Sequence, residues 1–274
     1  MNNINVHKFH IPKRFMQTWK TKDIPDRWKS SPYSIKKMMP SWKYILLTDD
    51  DNIKFVTKFF PDFLETFKSF EFPIQRADAI RYMWLYIYGG IYMDLDFEVN
   101  KDIEEYLNIT RFQRFPQTGI YLVQYFKNDD KIITNSFMIS KQKHPFWLDV
   151  IEEMKKPISF YNKLIRFTYV YETTGPSMLT RVYQNTKNKY NDIYLIDEIF
   201  ACTKGLYYIE PDALDYSIIK SIEQTSGESW HSPTETFIVL YLKYKVIFIV
   251  LGFILVYYFL IKLVSFVIIS KCYL

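Results

Sequence analysis

Asp94 and Asp96 are the residues of this sequence whose type and spacing point most directly to chemistry. They follow the run Gly89-Gly90-Ile91-Tyr92-Met93. Along a β-strand, residues i and i+2 face the same side. The spacing therefore predicts two carboxylates on one face at a strand end. Two negative charges held together repel unless a cation or donors compensate. A hard divalent cation answers this: Mg2+ or Mn2+ takes one or two carboxylates and fills its shell with substrate phosphates and water. Zn2+ is disfavoured, because no cluster of His or Cys accompanies the pair. A bare Asp-x-Asp is most often a solvated acidic turn, so its surroundings decide. Upstream, Asp78 and Arg81 stand three apart in a helical pattern and share a helix face. They form either an intrahelical salt bridge or a pair turned toward a sugar and a phosphate.

The elements that must position these groups can be read from periodicity. Ile74, Ala77, Ile80, Arg81, Trp84, Leu85 and Tyr88 follow the 3, 4 spacing of a helix over 74–88, closed by Gly89, where positive φ costs glycine nothing. Strands are predicted around 9–19, with Phe15-Met16-Gln17 as its apolar part, and at 42–47, 91–93, 119–125, 136–140 and 193–196. The acid cluster Asp49-Asp50-Asp51 after the second strand is a helix-start pattern, with helix over 53–60. Further helices are expected over 145–154 and 177–183. Helices alternating with short apolar strands argue for an α/β sandwich. No internal repeat or low-complexity tract is present.

Composition narrows the class. The chain has 274 residues, 49% hydrophobic and 19% aromatic, which excludes global disorder. Two cysteines, Cys202 and Cys272, exclude a disulfide scaffold. The net charge of +5 comes without a strong Lys/Arg block, so no nucleic-acid partner is expected. Residues 246–261 are all apolar, Gly or Tyr; Lys262 interrupts, and apolar residues continue to Ile269. As a helix, 246–269 is about 36 Å long at ~1.5 Å per residue, against a hydrocarbon core of about 30 Å. This predicts one C-terminal transmembrane helix with Lys262 snorkelling. The expected organisation is a globular domain over 1–236, a juxtamembrane linker over 237–245, the span over 246–269 and a short tail over 270–274. The N-terminal stretch lacks the apolar core of a signal peptide, which predicts a single-pass membrane protein with its domain on the cytosolic side. The flanking lysines do not fix orientation, so the lumenal side stays open, and only there would the sequon Asn108-Ile109-Thr110 matter.

Three stretches carry a family resemblance: Ile11-Pro12-Lys13 with Gln17-Thr18-Trp19-Lys20, Ile74 through Tyr82, and Gly89 through Asp96. In this order they resemble glycosyltransferase family 32, the DXD-motif sugar transferases that include fungal mannosyltransferases and the clostridial glucosylating toxin core. The similarity is clear from Ile11 to Glu98 and weaker to about Trp230. It implies a GT-A fold, a Rossmann-like sandwich binding a nucleotide sugar at the C-terminal strand ends. It also implies Mn2+ or Mg2+, a GDP- or UDP-hexose donor with mannose favoured, and a glycan, lipid-headgroup or protein acceptor.

By the same resemblance, Trp19 stacks on the nucleobase with Gln17 and Thr18 in the same turn. Asp78 binds ribose or sugar hydroxyls, Arg81 meets sugar and diphosphate, and Tyr92 lines the sugar pocket. Asp94 holds ribose or donor sugar and a metal-bound water; Asp96 ligates the metal. Asn135 lies near the acceptor side of the donor sugar. Thr174-Gly175-Pro176 resembles a family turn at a helix start, with a structural role. Ser229 and Trp230 resemble a late motif near the diphosphate. Family members often carry a His before that motif; here His231 follows it, leaving Glu228, Ser229 and His231 as candidates for the third contact to metal or diphosphate. The implied reaction is hexose transfer with retention and no covalent nucleophile. One rival is a phosphohydrolase whose first Asp attacks phosphorus. It wants its pair near the first strand and a Thr or Val two residues later, where this chain has Glu98. Another rival is an inactive membrane-bound binding module, which metal-dependent hydrolysis of nucleotide sugars would separate.

Overall fold

The computed structural model of the chain describes residues 11–103, 119–127, 130–158, 166–197, 219–221 and 255–259. Strand β1 (Arg14–Thr18) leads through a short 3-10 turn, Asp26–Trp28, into α1 (Ser30–Met38). β2 (Lys43–Leu47) and α2 (Asp49–Phe59) follow, then α3 (Leu64–Ser69), the long α4 (Pro73–Tyr88) and β3 (Gly90–Met93). The chain continues through β4 (Phe97–Val99), β5 (Ile120–Lys127), β6 (Asp130–Ser140) and α5 (Phe146–Glu153). Next come α6 (Arg166–Thr173), α7 (Pro176–Thr186) and β7 (Ile193–Asp197), and β8 (Ile219–Ser221) pairs with β4.

Six strands form one sheet in the order β2-β1-β3-β6-β5-β7. β1 pairs parallel with β2 and β3, β6 runs antiparallel to both its neighbours, and β5 pairs parallel with β7. Five strands thus point one way and β6 the other. Both faces are buried, and period two divides the side chains between two cores. Met16, Tyr92, Leu122 and Met138 join the core under α2, α4, α5 and α7. Phe15, Ile91, Val123 and Ile139 join the core that α1 covers with Ile35 and Met39. Phe15, Met16, Ile91 and Ile139 are fully buried, each contributing about 1.5–3 kcal/mol of transfer free energy.

Local chemistry sets the element ends. Thr48 and Asp51 form a reciprocal capping box at the start of α2, where Asp51 N–H donates to Thr48 Oγ1 at 3.2 Å and Thr48 N–H to Asp51 Oδ2 at 3.1 Å. The helix therefore begins at Asp49, earlier than its apolar residues suggest. α4 starts with Pro73 in its first turn and ends at Gly89, whose φ is +63°. Gly90 follows at φ +101°, and a Cβ there would lie 2.4 Å from the Arg14 carbonyl oxygen. Only glycine lets β3 lie this close to β1.

The connection from β1 to β2 carries α1 over one face of the sheet, and that from β2 to β3 carries α2 and α4 over the other. The chain thus reverses its winding at β1. A crevice outside the C-terminal ends of β1 and β3 is where open sheets of this kind bind ligands. By internal packing, 1–229 form one compact unit and 230–274 another. Of the predicted span 246–269, the stretch 255–259 is helical and its side chains are exposed; the rest lies outside the described residues. Among the described residues, no helix is long and apolar enough to cross a membrane. The sequon Asn108-Ile109-Thr110 also lies outside them.

Candidate active site

α4 brings Asp78 and Arg81 to the turn that follows β3. From Ala79 to Leu85 every residue is buried, so the helix is enclosed between the sheet and its neighbours rather than half-solvated. Asp78 is 4% exposed and Arg81 3%. The i,i+3 spacing does bring them together: Arg81 Nη2 lies 3.0 Å from Asp78 Oδ1. The contact is more than an intrahelical pair, because Arg81 Nη1 also reaches Asp94 Oδ1 at 3.1 Å and the Asn135 carbonyl oxygen at 2.9 Å. The guanidinium packs over the Tyr92 ring at 4.5 Å. A planar fork of donors suits such divided contacts. Burial acts to lower the Arg81 pKa, but Asp94, Tyr92 and Asp78 outweigh it and hold the group firmly charged.

β6 supplies Asn135 at the centre. Its Nδ2 donates to Asp78 Oδ1 and to the Tyr82 hydroxyl, each at 2.9 Å. The turn between α6 and α7 supplies Thr174, whose Oγ1 donates to Asp78 Oδ2 at 2.9 Å. Tyr82 in turn donates its hydroxyl to the Thr174 carbonyl at 2.8 Å. Burial pushes the Asp78 carboxyl up to about 6, against the pull of Arg81, Thr174 and Asn135. Of its two oxygens, Oδ1 takes two donors, Arg81 and Asn135, and Oδ2 takes one, Thr174. Burial likewise raises the Tyr82 and Tyr92 hydroxyls well above their ordinary value, so both stay protonated donors.

β3 ends at Met93, so Asp94 and Asp96 lie in the turn beyond it, not on a continuous strand. This corrects the strand-face expectation in its geometry, because the chain turns to enter β4. Period two nonetheless persists in burial: Met93, Leu95, Phe97 and Val99 are buried, while Asp94, Asp96 and Glu98 are half-buried. Leu95 is buried and anchors the turn between the two half-buried aspartates. The Asp94 backbone is tied down too, with its N–H donating to the Ser136 carbonyl at 2.8 Å. Tyr92 donates its hydroxyl to Asp94 Oδ1. Arg81 and Tyr92 thus both meet Asp94 at the same oxygen, Oδ1. Asp94 and Asp96 carry only oxygen donors, the type that Mg2+ or Mn2+ takes together with phosphate and water. Among the described residues no group of three or more His, Cys, Asp or Glu side chains could hold a metal ion.

β1 delivers Gln17, Thr18 and Trp19. Gln17 is fully buried; its amide nitrogen donates to Ser31 Oγ at 2.8 Å and to the Asp94 carbonyl at 3.2 Å, while Tyr44 donates to its oxygen at 3.0 Å. Both ends of this side chain are occupied within the protein, and it ties the turn of the two aspartates to β1 and α1. Thr18 Oγ1 donates to the Leu47 carbonyl and receives Asn52 Nδ2. Trp19 is half-buried just beyond β1 and meets the buried Trp28 edge-on at 4.9 Å. Glu228, Ser229, Trp230 and His231 lie outside the described residues.

The structure thus brings Asp78, Arg81, Tyr92, Asp94 and Asn135 into one network. Sequence reasoning missed Tyr82 and Thr174 as members. Tyr82 lies four residues after Asp78 on the same helix face, a usable signal. Thr174 is 96 residues from Asp78, and no spacing rule joins them.

One buried guanidinium is thus held between two carboxylates just beyond the end of β3. Comparison with known proteins gives this arrangement its family. Residues 25–115 match the glycosyltransferase sugar-binding region containing the DXD motif, and this chain belongs to the DXD-containing glycosyltransferases. It is 32% identical over 231 residues to a mannosyl phosphorylinositol ceramide synthase of Saccharomyces cerevisiae, covering 83% of this chain and 54% of that protein. It is 30% identical over 243 residues to inositol phosphoceramide mannosyltransferase 3 of Schizosaccharomyces pombe, covering 89% of this chain and 62% of that one. The chain therefore spans less than two thirds of the length of these relatives. Among solved structures, the PaToxG glycosyltransferase aligns with a TM-score of 0.44 at 19% identity, over 65% of this chain and 71% of that one.

Proposed function

We propose that the chain transfers a hexose, mannose being favoured, from a nucleotide diphosphate sugar to an acceptor hydroxyl with retention of configuration. The observation that carries this reading is Arg81, buried and held at once by Asp78 and by the first aspartate of the pair. Negative charge builds on the departing diphosphate, and a pre-oriented guanidinium stabilises it where it develops. Asp94 and Asp96 would hold Mn2+ or Mg2+, which supplies Lewis-acid neutralisation of the same oxygens when bound. Asp78, fixed by three donors, presents a carboxylate edge to ribose or sugar hydroxyls. Trp19, at the end of β1, offers a flat face to the nucleobase. Gln17 holds the aspartate turn in place, and Thr18, Asn135, Ser229 and Trp230 complete the proposed donor site. Glu228, Ser229 and His231 are the candidates for a third contact to the metal. No residue is assigned as a covalent nucleophile.

A GT-A architecture is part of the same reading, supported by the mixed α/β sheet and the site outside its parallel strand ends. So is the organisation into a catalytic domain over 1–236, a linker over 237–245 and a single membrane span over 246–269, with the domain on the cytosolic side. The relatives, a mannosyl phosphorylinositol ceramide synthase and an inositol phosphoceramide mannosyltransferase, favour a lipid headgroup, inositol phosphoceramide, as acceptor over a glycan or protein. The test is incubation of the purified chain with GDP- and UDP-hexoses and Mn2+, with and without that lipid. Metal-dependent transfer to the lipid is expected. Transfer that persists in excess chelator, or release of inorganic phosphate rather than nucleoside diphosphate, contradicts the reading.

A further inference from the structure

Asp78 meets different partners at its two oxygens. Oδ1 receives Arg81 and Asn135, whereas Oδ2 receives Thr174 Oγ1. Thr174 is fully buried and Asp78 and Asn135 nearly so, so bulk water does not stand in for a lost donor. The Thr174 hydroxyl has one alternative acceptor, the Val170 carbonyl, at a longer 3.5 Å. Its backbone is pinned as well: its N–H donates to the Val170 carbonyl at 3.0 Å, and its own carbonyl receives Tyr82. The hydroxyl is thus held at a set height above α4 by a turn from a distant part of the chain. With that donor gone, Asp78 would keep an unsatisfied buried oxygen, costly enough to rotate the carboxylate toward Arg81 and Asn135. Arg81 would follow, because its second nitrogen is shared between Asn135 and Asp94.

We infer that Thr174 is a positioning residue of the donor site: by holding Asp78 Oδ2 it sets the guanidinium of Arg81 against Asp94, where the diphosphate of the sugar donor is received. This rests on the proposed transferase reading. Thr174 acts through Asp78, to which its hydroxyl donates.

The test compares wild type, Thr174→Val and Thr174→Ser as full chains. Valine keeps the shape and removes the hydroxyl; serine keeps the hydroxyl. Nucleoside diphosphate release is followed with GDP- and UDP-hexoses and Mn2+, nucleotide stoichiometry by calorimetry, and the Thr174→Val variant is crystallised. Expected is a fall in kcat of about 10- to 100-fold for valine, the scale of one hydrogen bond to a charged group. Stoichiometry should stay near that of wild type, serine should recover most of the rate, and Arg81 should leave contact with Asp94. A valine variant within about threefold of wild type, equal losses in valine and serine, or an unmoved Arg81 in the crystal each overturns the inference. If valine does not yield folded protein, Thr174→Ala makes the same comparison without the branched bulk. A wild type that releases no nucleotide from any donor defeats the transferase reading, and the crystal structure then decides the positioning role by itself.

Discussion

Replacing Arg81 by lysine keeps the positive charge of the site and removes its fork. The guanidinium reaches Asp78 at 3.0 Å, Asp94 at 3.1 Å, the Asn135 carbonyl at 2.9 Å and the Ala77 carbonyl at 3.2 Å. An ammonium is a single point on a flexible stem and cannot meet both carboxylates with this geometry. One or two charge-assisted hydrogen bonds are lost, at about 1.5–3 kcal/mol each. Part of the Coulomb attraction survives, leaving a deficit of about 2–4 kcal/mol in transition-state stabilisation. At ~1.36 kcal/mol per tenfold, that is roughly 30- to 1,000-fold in kcat/KM. The assay is nucleoside diphosphate release with saturating Mn2+, alongside a thermal melt to establish that the variant is folded. An Arg81→Lys protein within about threefold of wild type would refute the claim that orientation, rather than charge alone, makes Arg81 effective.

Two further outcomes follow from the same geometry. Asp78 has its folded-state pKa raised to about 6, so the folded protein binds a proton that the unfolded chain releases near pH 4. Its contribution is fully present below pH 4 and is lost as pH rises to about 6, by roughly 2–3 kcal/mol. Asp78→Asn lacks this dependence, so the melting temperature of the variant relative to wild type should climb between pH 4 and 6; a constant difference across that window contradicts the burial argument. Gly90→Ala places a Cβ 2.4 Å from the Arg14 carbonyl oxygen at φ +101°. Urea denaturation should register a loss of about 3 kcal/mol, combining backbone strain with overlap, and a loss under about 1 kcal/mol would show that β1 and β3 yield easily.

Much of the scaffold was legible because its pattern is local. The 3, 4 spacing gave α4 to within a residue, and the glycine pair gave its end and the start of β3. Other elements hid for definable reasons. α1 spells SSPYSIKKM, with Ser, Pro and Lys outnumbering the apolar positions, and it is a helix because Ile35 and its C-cap neighbour Met39 dock on the sheet. α6 spells RFTYVYET, whose aromatic and β-branched residues favour strands in isolation. β6 is expected from 136, yet it begins at Asp130, because Asp130 through Thr134 also pair with β5, beyond an irregularity in the register at Leu122/Val123. The aspartate pair stands out in the sequence by its residue types, but its local geometry does not. Strand alternation was invoked for a turn in which Leu95 does the anchoring. Asn135 and Thr174 meet Asp78 across 57 and 96 residues, and only the fold joins them.

The central claim is that Asp94 and Asp96 hold a divalent cation together with the diphosphate of a sugar donor. Calorimetric titration of Mn2+ into the full chain, with and without GDP or UDP, tests it directly. The account predicts binding that nucleotide strengthens by about tenfold or more, a coupling of at least ~1.4 kcal/mol, and that Asp96→Ala abolishes while remaining folded. Mn2+ binding of equal affinity in wild type and Asp96→Ala, indifferent to nucleotide, would contradict it.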